Sequence, residues 1–504
     1  MKTLIQILLL TFLIGSILIE ESFAQEKVSE KIQIVKSLIE KFNDNDSWIN
    51  GEAVNKLAEI GEPAVNELIK SLQDSNETVR WCSAITLEKI SPLGKQSIPF
   101  LINALKDNNP NVRWSSTLAL GNYQSDAASG ISELQKLLYD EDYDVRWAAY
   151  ISLNKIDKKS LNVIPNLSEK ISVIEKLTAE LMEELNVPGV SISIIQNNKI
   201  EYSNSFGIAD VNTEIQVDDK TMFEACSMSE PVFTYLVLKL VELGKLDLDK
   251  PLYAYLLEKF ICENEEYPKQ ITARMILTHT SGLPNWRKGS EENDSPLPIY
   301  FKPGTKFQYS GEGIYYLQRV IEYITNESLE SLAKRMLFDK LGLVSTSFVW
   351  TEKYDKQIAT GHNADGNCNE RKKYLHSNAA YTLYTTSNEY AKLINEIMKP
   401  GNQNDYSLSN SMIKEMLTHQ VRVDTRDVID RPGRNLGLQG FRGLGWAIDS
   451  TITGDVVYHS GSNQTGFRCY SQFSPKDGSG IVIMTNGENG SELWQGLIKV
   501  IGDL

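Results

Sequence analysis

Cysteine is scarce in this 504-residue chain: five residues, too few to make a disulfide scaffold, and an odd number that leaves at least one thiol free. Histidine is equally scarce, and no His-Glu-x-x-His or Cys-x-x-Cys setting occurs, so no zinc site is expected. Basic charge is short as well. With 51 Lys+Arg against 66 Asp+Glu, the net charge of −15 lacks the positive stripe that phosphate backbones need, which excludes a nucleic-acid partner. Beyond the first two dozen residues, no stretch stays apolar for the roughly 20 residues a membrane span requires. What remains is ordinary globular usage, 41% apolar and 23% charged, at a length suited to about three domains of about 150 residues.

The first 24 residues read as a signal peptide. Lys2 gives a positive start, Leu4 to Ile19 an apolar run, and Ser22-Phe23-Ala24 a small-x-small cleavage signal before Gln25. Glu20 and Glu21 crowd the cut, leaving an uncleaved anchor as the alternative; no cysteine follows the run, so lipid attachment there is excluded. The expectation is a secreted or periplasmic protein without a membrane span once the leader is removed.

A repeat follows. Val79-Arg80-Trp81, Val112-Arg113-Trp114 and Val145-Arg146-Trp147 recur every 33 residues. Leu68, Leu101 and Leu134 share the register, as do Leu72, Leu105 and Leu138, then Asp74, Asp107 and Asp140, then Leu87, Leu120 and Leu153. A fixed period of this size signals a solenoid whose units bury their apolar faces against neighbours. Two helical patterns flank a polar turn such as Asp74-Ser75-Asn76-Glu77, giving one helical hairpin per unit. The Thr-Pro-Leu-His of ankyrin units is absent. The Asp-x-x-x-x-Val-Arg pattern resembles short HEAT repeats, over residues 25–160 with a degenerate capping unit at 31–60. The aligned tryptophans read as inter-repeat packing rather than a capture stripe, and the Asp and Arg ladders as capping and inter-turn pairing. The array is expected to be an interaction module that takes a protein partner.

From residue 171 the period is gone. An amphipathic helix over 171–186 precedes strands at Val190–Ile195 and Lys199–Phe206, joined by Asn197-Asn198, whose residue type tolerates the positive φ of a hairpin turn. Asp455–His459, Phe467–Phe473 and Gly480–Thr485 read as three more strands, with helices at 231–243, 314–325 and 328–340 between. The expected class is multidomain: an all-α solenoid, then, over 171–504, an α/β domain with an antiparallel sheet built from both ends, flanking helices and a helical insertion.

Three local sequences in that second domain stand in a telling order. Phe223-Glu224-Ala225-Cys226-Ser227-Met228-Ser229-Glu230-Pro231 opens a helix, Phe307-Gln308-Tyr309-Ser310-Gly311 follows a Pro-Gly turn, and Val457-Tyr458-His459-Ser460-Gly461-Ser462-Asn463 ends a strand. With Asn186-Val187-Pro188-Gly189, Leu277-Thr278-His279-Thr280-Ser281-Gly282-Leu283 and Gly443-Leu444-Gly445-Trp446, the domain resembles the serine β-lactamase and penicillin-binding-protein superfamily, in its class C-like esterase and peptidase branch. The resemblance implies acyl transfer to a serine on an ester or peptide-like amide, without cofactor. By position it makes Ser227 the nucleophile and Tyr309 the base, puts His459-Ser460-Gly461 in place of Lys-Thr-Gly, and assigns the oxyanion hole to the N–H groups of Ser227 and Ser462. Ser310 and Gly311 fall at substrate-binding positions, Gly311 where β-lactamases carry asparagine, which puts β-lactam turnover in doubt.

Glu230 is the departure. The family motif is Ser-x-x-Lys, and here it is Ser-x-x-Glu. A cation about 4 Å from the tyrosine oxygen favours phenolate by up to roughly 4 kcal/mol at an effective dielectric near 20. A carboxylate reverses the sign and raises the tyrosine pKa. Glu230 also lies in the first turn of a helix, where a carboxylate complements the dipole without any chemistry and falls short of the serine. Activity is therefore expected to be impaired, the alternative being a pseudohydrolase that binds a ligand. Ser152, Ser331 and Ser411, each with lysine three residues on, lie on ordinary helices without the surrounding motif. His279 reads as structural, Cys226 as pointing away from the pocket and Cys82 as core, while pairing among Cys262, Cys368 and Cys469 stays open.

Overall fold

A computed structural model describes residues 31–44, 47–137, 140, 142–157, 167–256, 266–287, 297–399, 404–423, 439–451 and 454–501. The leader, Cys262 and the segment 158–166 lie outside them. The chain divides into two compact units, one ending at Asn166 and the other starting at Leu167.

In the first unit the Val-Arg-Trp triplets sit on the helices Glu77–Ile90, Pro110–Asn122 and Tyr143–Ile156, each N-capped by the polar turn before it: Asn76, Asn109 and Asp142 accept from backbone N–H groups of the first turn. The leucines of the register among the described residues are buried, together with Val79, Val112 and Val145, while Leu138 lies outside those residues. The ladder joins neighbours. Arg80 forks onto Asp107 of the next unit (2.7 and 3.0 Å) while its Nη1 donates to the carbonyl of Asp74 in its own turn (2.9 Å). Arg113 repeats the pattern one unit on, with Asp140 (2.9 and 2.7 Å) and the carbonyl of Asp107 (2.8 Å). Trp81 and Trp114 are half-buried against the core, the packing role expected of them. Cys82 is buried, and burial pushes its thiol up to about 12.

The second unit is built on a nine-stranded sheet. Its strands are β1 (Gly189–Gln196), β2 (Lys199–Asp210), β3 (Ile215–Gln216), β6 (Val421–Val423), β7 (Gln439–Arg442), β8 (Ala447–Thr451), β9 (Gly454–Ser462), β10 (Arg468–Ser474) and β11 (Ser479–Thr485), in the order β3-β2-β1-β11-β10-β9-β8-β7-β6. A two-stranded ribbon pairs β4 (Phe223–Glu224) with β5 (Tyr384–Thr385). The hairpin at Asn197-Asn198 has both residues at positive φ. β1 pairs with β11, so the sheet joins both ends of the domain. Strands β6 to β8 extend it beyond the sequence expectation.

β1 and β11 show the period of two and are buried on both faces. Val190, Ile192, Ile194, Ile481 and Ile483 pack on one side against the helices Leu167–Glu184 and Gly490–Ile501. Val482 and Met484 face the larger core on the other side, which includes the helix Ser229–Glu242. The helix expected at 328–340 is broken: Leu329–Ala333 is α-helical, Lys334–Phe338 a π-turn, and Asp339–Leu341 a last short turn closed by Gly342 at φ 64°.

Candidate active site

Ser227 lies at the junction between β4 and the helix Ser229–Glu242, in a short 3₁₀ turn over Cys226–Met228. The turn is tight: Cys226 adopts φ 53°, a conformation that costs a residue with a side chain of order 1–3 kcal/mol and persists only where the surroundings enforce it. Cys226 turns its thiol inward to the carbonyl of Glu224 (3.3 Å), away from the pocket, and Ser227 stays partly open. Gly461 of β9 runs against this turn. A Cβ there would stand 2.3 Å from the carbonyl oxygen of Ala225 and 3.1 Å from the nitrogen of Ser227, so only glycine lets β9 approach Ser227.

A cavity of about 960 Å³ opens over Ser227, with Tyr309, His459, Ser460, Ser462 and Arg442 among its lining residues. Of the residues singled out in the sequence, Ser227, Tyr309, His459, Ser460 and Ser462 are brought together here, and Arg442 joins them without having been singled out. Ser310 and Gly311 are not at the cavity. The Ser310 hydroxyl caps the helix Gly311–Thr325, accepting from Gly313 N–H (2.9 Å) and donating to the Pro284 carbonyl (2.8 Å). Gly311 packs under Trp286, whose indole carbons would lie 2.6–2.9 Å from a Cβ at 311; the ring occupies the space a larger side chain would need.

Glu230, fully buried, is the centre of the site. The Tyr309 hydroxyl donates to its Oε1. Nε2 of His279 lies 3.2 Å from Oε2 and Nε2 of His459 lies 3.8 Å from it, yet neither is aligned for a hydrogen bond, so Oε2 has no well-made donor among the described residues. The tautomers follow from the second ring nitrogens. His279 Nδ1 accepts from Ser310 N–H (3.2 Å), which places its proton on Nε2, towards Glu230. His459 Nδ1 donates to the Ser460 carbonyl (2.8 Å), which leaves a lone pair on Nε2. Burial lowers the His459 pKa to about 4, with the Glu230 charge pulling the other way, so His459 is neutral at physiological pH. Burial, then the charge and hydrogen bond of Glu230, hold Tyr309 well above the usual phenol range; the Ser227 hydroxyl and the Arg442 charge oppose this and do not prevail.

The sequence reading missed His279 as a site member. It is buried at φ 54°, its ring tilted by 31° against that of Tyr309 with ring centres 4.3 Å apart. The signal was its place in the Leu277–Leu283 segment already matched to the superfamily, not any spacing to Glu230. Glu224 was missed as well. Its Oε2 gathers Tyr374 Oη (3.1 Å), Asn463 Nδ2 (2.6 Å) and Thr465 Oγ1 (2.9 Å), three residues of the cavity wall. Burial lifts its carboxyl to about 7, against those three donors. Ser152 is buried on the carbonyl of Thr117 in the first unit, and Ser331 and Ser411 lie on exposed helix surfaces, so the three stray Ser-x-x-Lys matches are far from any such arrangement. Cys82, Cys226, Cys368 and Cys469 are free thiols, which closes the pairing of Cys368 with Cys469.

Comparison with known proteins agrees with this geometry. Protein flp of Staphylococcus aureus is 24% identical over 326 residues, 62% of this chain, and the chain spans 62% of its length. A Beta-lactamase of Pseudomonas fluorescens is 22% identical over 343 residues, 92% of that protein. Among solved structures, the D-alanine carboxypeptidase AmpC from Burkholderia cenocepacia (20% identity, TM-score 0.55) is covered completely by 67% of this chain, and the octameric penicillin-binding protein homologue from Pyrococcus abyssi (23% identity, TM-score 0.54) to 78% by 66% of it. Residues 35–103 and 98–170 match HEAT repeats. Residues 174–503 match the Beta-lactamase family, and the chain belongs to that family, with HEAT repeats ahead of the β-lactamase-like domain.

Proposed function

We propose that this chain is a serine-hydrolase-fold protein whose acyl transfer on esters or peptide-like amides is silenced or strongly impaired, and whose pocket serves to bind a ligand. The hydrogen bond from Tyr309 to Glu230 carries the reading. The general base of this architecture must take the serine proton, and a phenol that is already donating to a buried carboxylate, with its pKa raised, holds its own proton at neutral pH. His459 supplies no replacement cation, because burial keeps it neutral. The exported location and a protein partner for the HEAT repeats belong to the same proposal: a receptor-like pocket and an interaction arm carried on one chain.

The same contact favours a second reading, a relay. As the Ser227 oxygen attacks a carbonyl carbon, its proton passes to Tyr309 and the Tyr309 proton to Glu230; collapse of the tetrahedral intermediate returns a proton through Tyr309 to the departing group and leaves an acyl-serine, which water then hydrolyses to release the acid and restore the Ser227 hydroxyl. Mass spectrometry after incubation with a fluorophosphonate or a penicillin separates the two. No adduct on Ser227 and no hydrolysis of p-nitrophenyl esters is the expected outcome. A Ser227 adduct, with ester turnover lost in Ser227→Ala, overturns the silent pocket and establishes the relay.

A further inference from the structure

One buried cation of the cavity wall is unaccounted for among the described residues. Arg442, the last residue of β7, is only 8% exposed, yet among the described residues no carboxylate pairs with it and its Nε has no hydrogen-bond partner. The other guanidinium on the cavity wall, Arg287, is locked by Nε and Nη2 onto both oxygens of Glu312 (2.9 and 2.5 Å). Arg442 instead lies over the face of Phe307, its guanidinium carbon 4.9 Å from the ring centre, an arrangement that suits a weakly hydrated planar cation but leaves its charge uncompensated. A buried unpaired charge is costly unless something meets it. The field of Arg442 reaches both Tyr309 and His459, opposing the proton on each, so it stands close to the nucleophile.

The same cavity has an aromatic wall. Trp286 meets Tyr381 edge to face (ring centres 5.4 Å apart, 81°), and Tyr381 meets Tyr374 in the same way (5.4 Å, 75°). The indole is 44% exposed, more than its apolar surface favours. A forked cation and an open aromatic surface lining one cavity are complementary to a molecule with an anionic head and a flat apolar body.

We infer that the pocket binds a small carboxylate with an aromatic body, the carboxylate on the Arg442 guanidinium and the body against Trp286, Tyr381 and Tyr374. This rests on the reading of the site as a ligand pocket and names the class of ligand. A carboxylate meets the Arg442 guanidinium through two parallel N–H···O bonds; the remaining unpaired cation of the wall among the described residues, Lys372, is exposed and lies over the Tyr374 ring (5.3 Å).

Calorimetric titration of the full chain with phenylacetate, phenylacetamide and inorganic phosphate tests it. Phenylacetate is expected to bind at least tenfold tighter than the amide and tighter than phosphate. Arg442→Gln is expected to erase the preference for acid over amide, and Arg442→Lys to keep part of it. Equal binding of acid and amide to the unmodified protein, a preference that survives Arg442→Gln, or phosphate binding as tightly as phenylacetate overturns the inference. Should Arg442→Gln fail to fold, the acid and amide comparison on the unmodified chain decides. Ester hydrolysis by Ser227 alongside an intact acid preference would refute only the silent pocket, whereas equal binding of acid and amide without hydrolysis would refute only the ligand class.

Discussion

The hydroxyl of Tyr309 donates to Oε1 of Glu230, so the residue positioned to take a proton from Ser227 is itself held as a donor. A lysine at 230 would reverse that polarity. Glu230→Lys is expected to lower the Tyr309 pKa and to raise p-nitrophenyl ester hydrolysis by about tenfold or more, with the gain abolished by adding Ser227→Ala. Steady-state rates for the single and double variants check this; no gain from Glu230→Lys in a folded protein would show that more than residue 230 disables the site.

Glu224 makes a pH prediction with a definite sign. Its folded pKa, about 7, stands above the unfolded carboxyl value, so its contribution to stability is fully present below the unfolded pKa and is lost as pH rises through about 7. Glu224→Gln keeps an amide oxygen as acceptor and removes the titration. It is expected to flatten the fall in melting temperature between about pH 5 and 8, a difference on the order of 2–3 kcal/mol at the upper end. Thermal unfolding across that range gives the answer, and parallel curves for the two proteins would place the titration elsewhere.

His459 acts in the opposite direction. Its folded pKa of about 4 lies below the unfolded histidine value, so its contribution is present above about pH 6.5 and is lost as pH falls through about 4. Its imidazole resonances, followed by NMR, are expected to hold the neutral form down to about pH 5. Protonation near pH 6.5 would mean that Glu230, not burial, governs this ring.

In the repeats, the pairs differ in depth. Arg113 and Asp140 have side chains 8% and 7% exposed, against 17% and 12% for Arg80 and Asp107. Removing one partner of a buried pair leaves a stranded charge and costs about 3–5 kcal/mol. Asp140→Ala is therefore expected to destabilise the repeats more than Asp107→Ala, as read from urea unfolding of the full chain. Equal losses would point to the shared turn bonds, which both aspartates make, rather than to the depth of the pair.

Gly311 tests the aromatic wall. Gly311→Asn is expected to displace the Trp286 ring, changing the near-UV circular dichroism and lowering stability by about 1–3 kcal/mol, as overpacking does. Adding Trp286→Ala is expected to recover most of that loss. A Gly311→Asn protein with unchanged spectrum and stability would mean that the indole yields freely.

The 33-residue repeat was fully legible because each unit repeats the same local solution: an apolar register every turn, a polar cap and an arginine for the next unit's aspartate. The hairpin at Asn197-Asn198 and the ends of the sheet were legible for a similar reason, since the alternation in β1, β10 and β11 and the turn chemistry are written in neighbouring residues. Strands β6 to β8 and the break at Lys334–Phe338 were not, because pairing with distant strands and packing decide them. Ser310 and Gly311 mark the same limit. The motif placed them beside the substrate, but a capping bond and the indole of Trp286 turn them to other uses.

The sequence alone settled the order of the two parts and the presence of Glu230 three residues after Ser227, where the family motif carries lysine, because each is a matter of which residue follows which. It did not settle what that carboxylate meets. Tyr309, His279 and His459 lie 79, 49 and 229 residues away along the chain and converge on Glu230 only when the helix Ser229–Glu242, the helix Gly311–Thr325 and β9 close around one another. Charge, tautomer and burial there are properties of that closure. The fold therefore decided that Tyr309 is a donor, that His459 is neutral and that Arg442 faces the cavity with no carboxylate paired to it among the described residues.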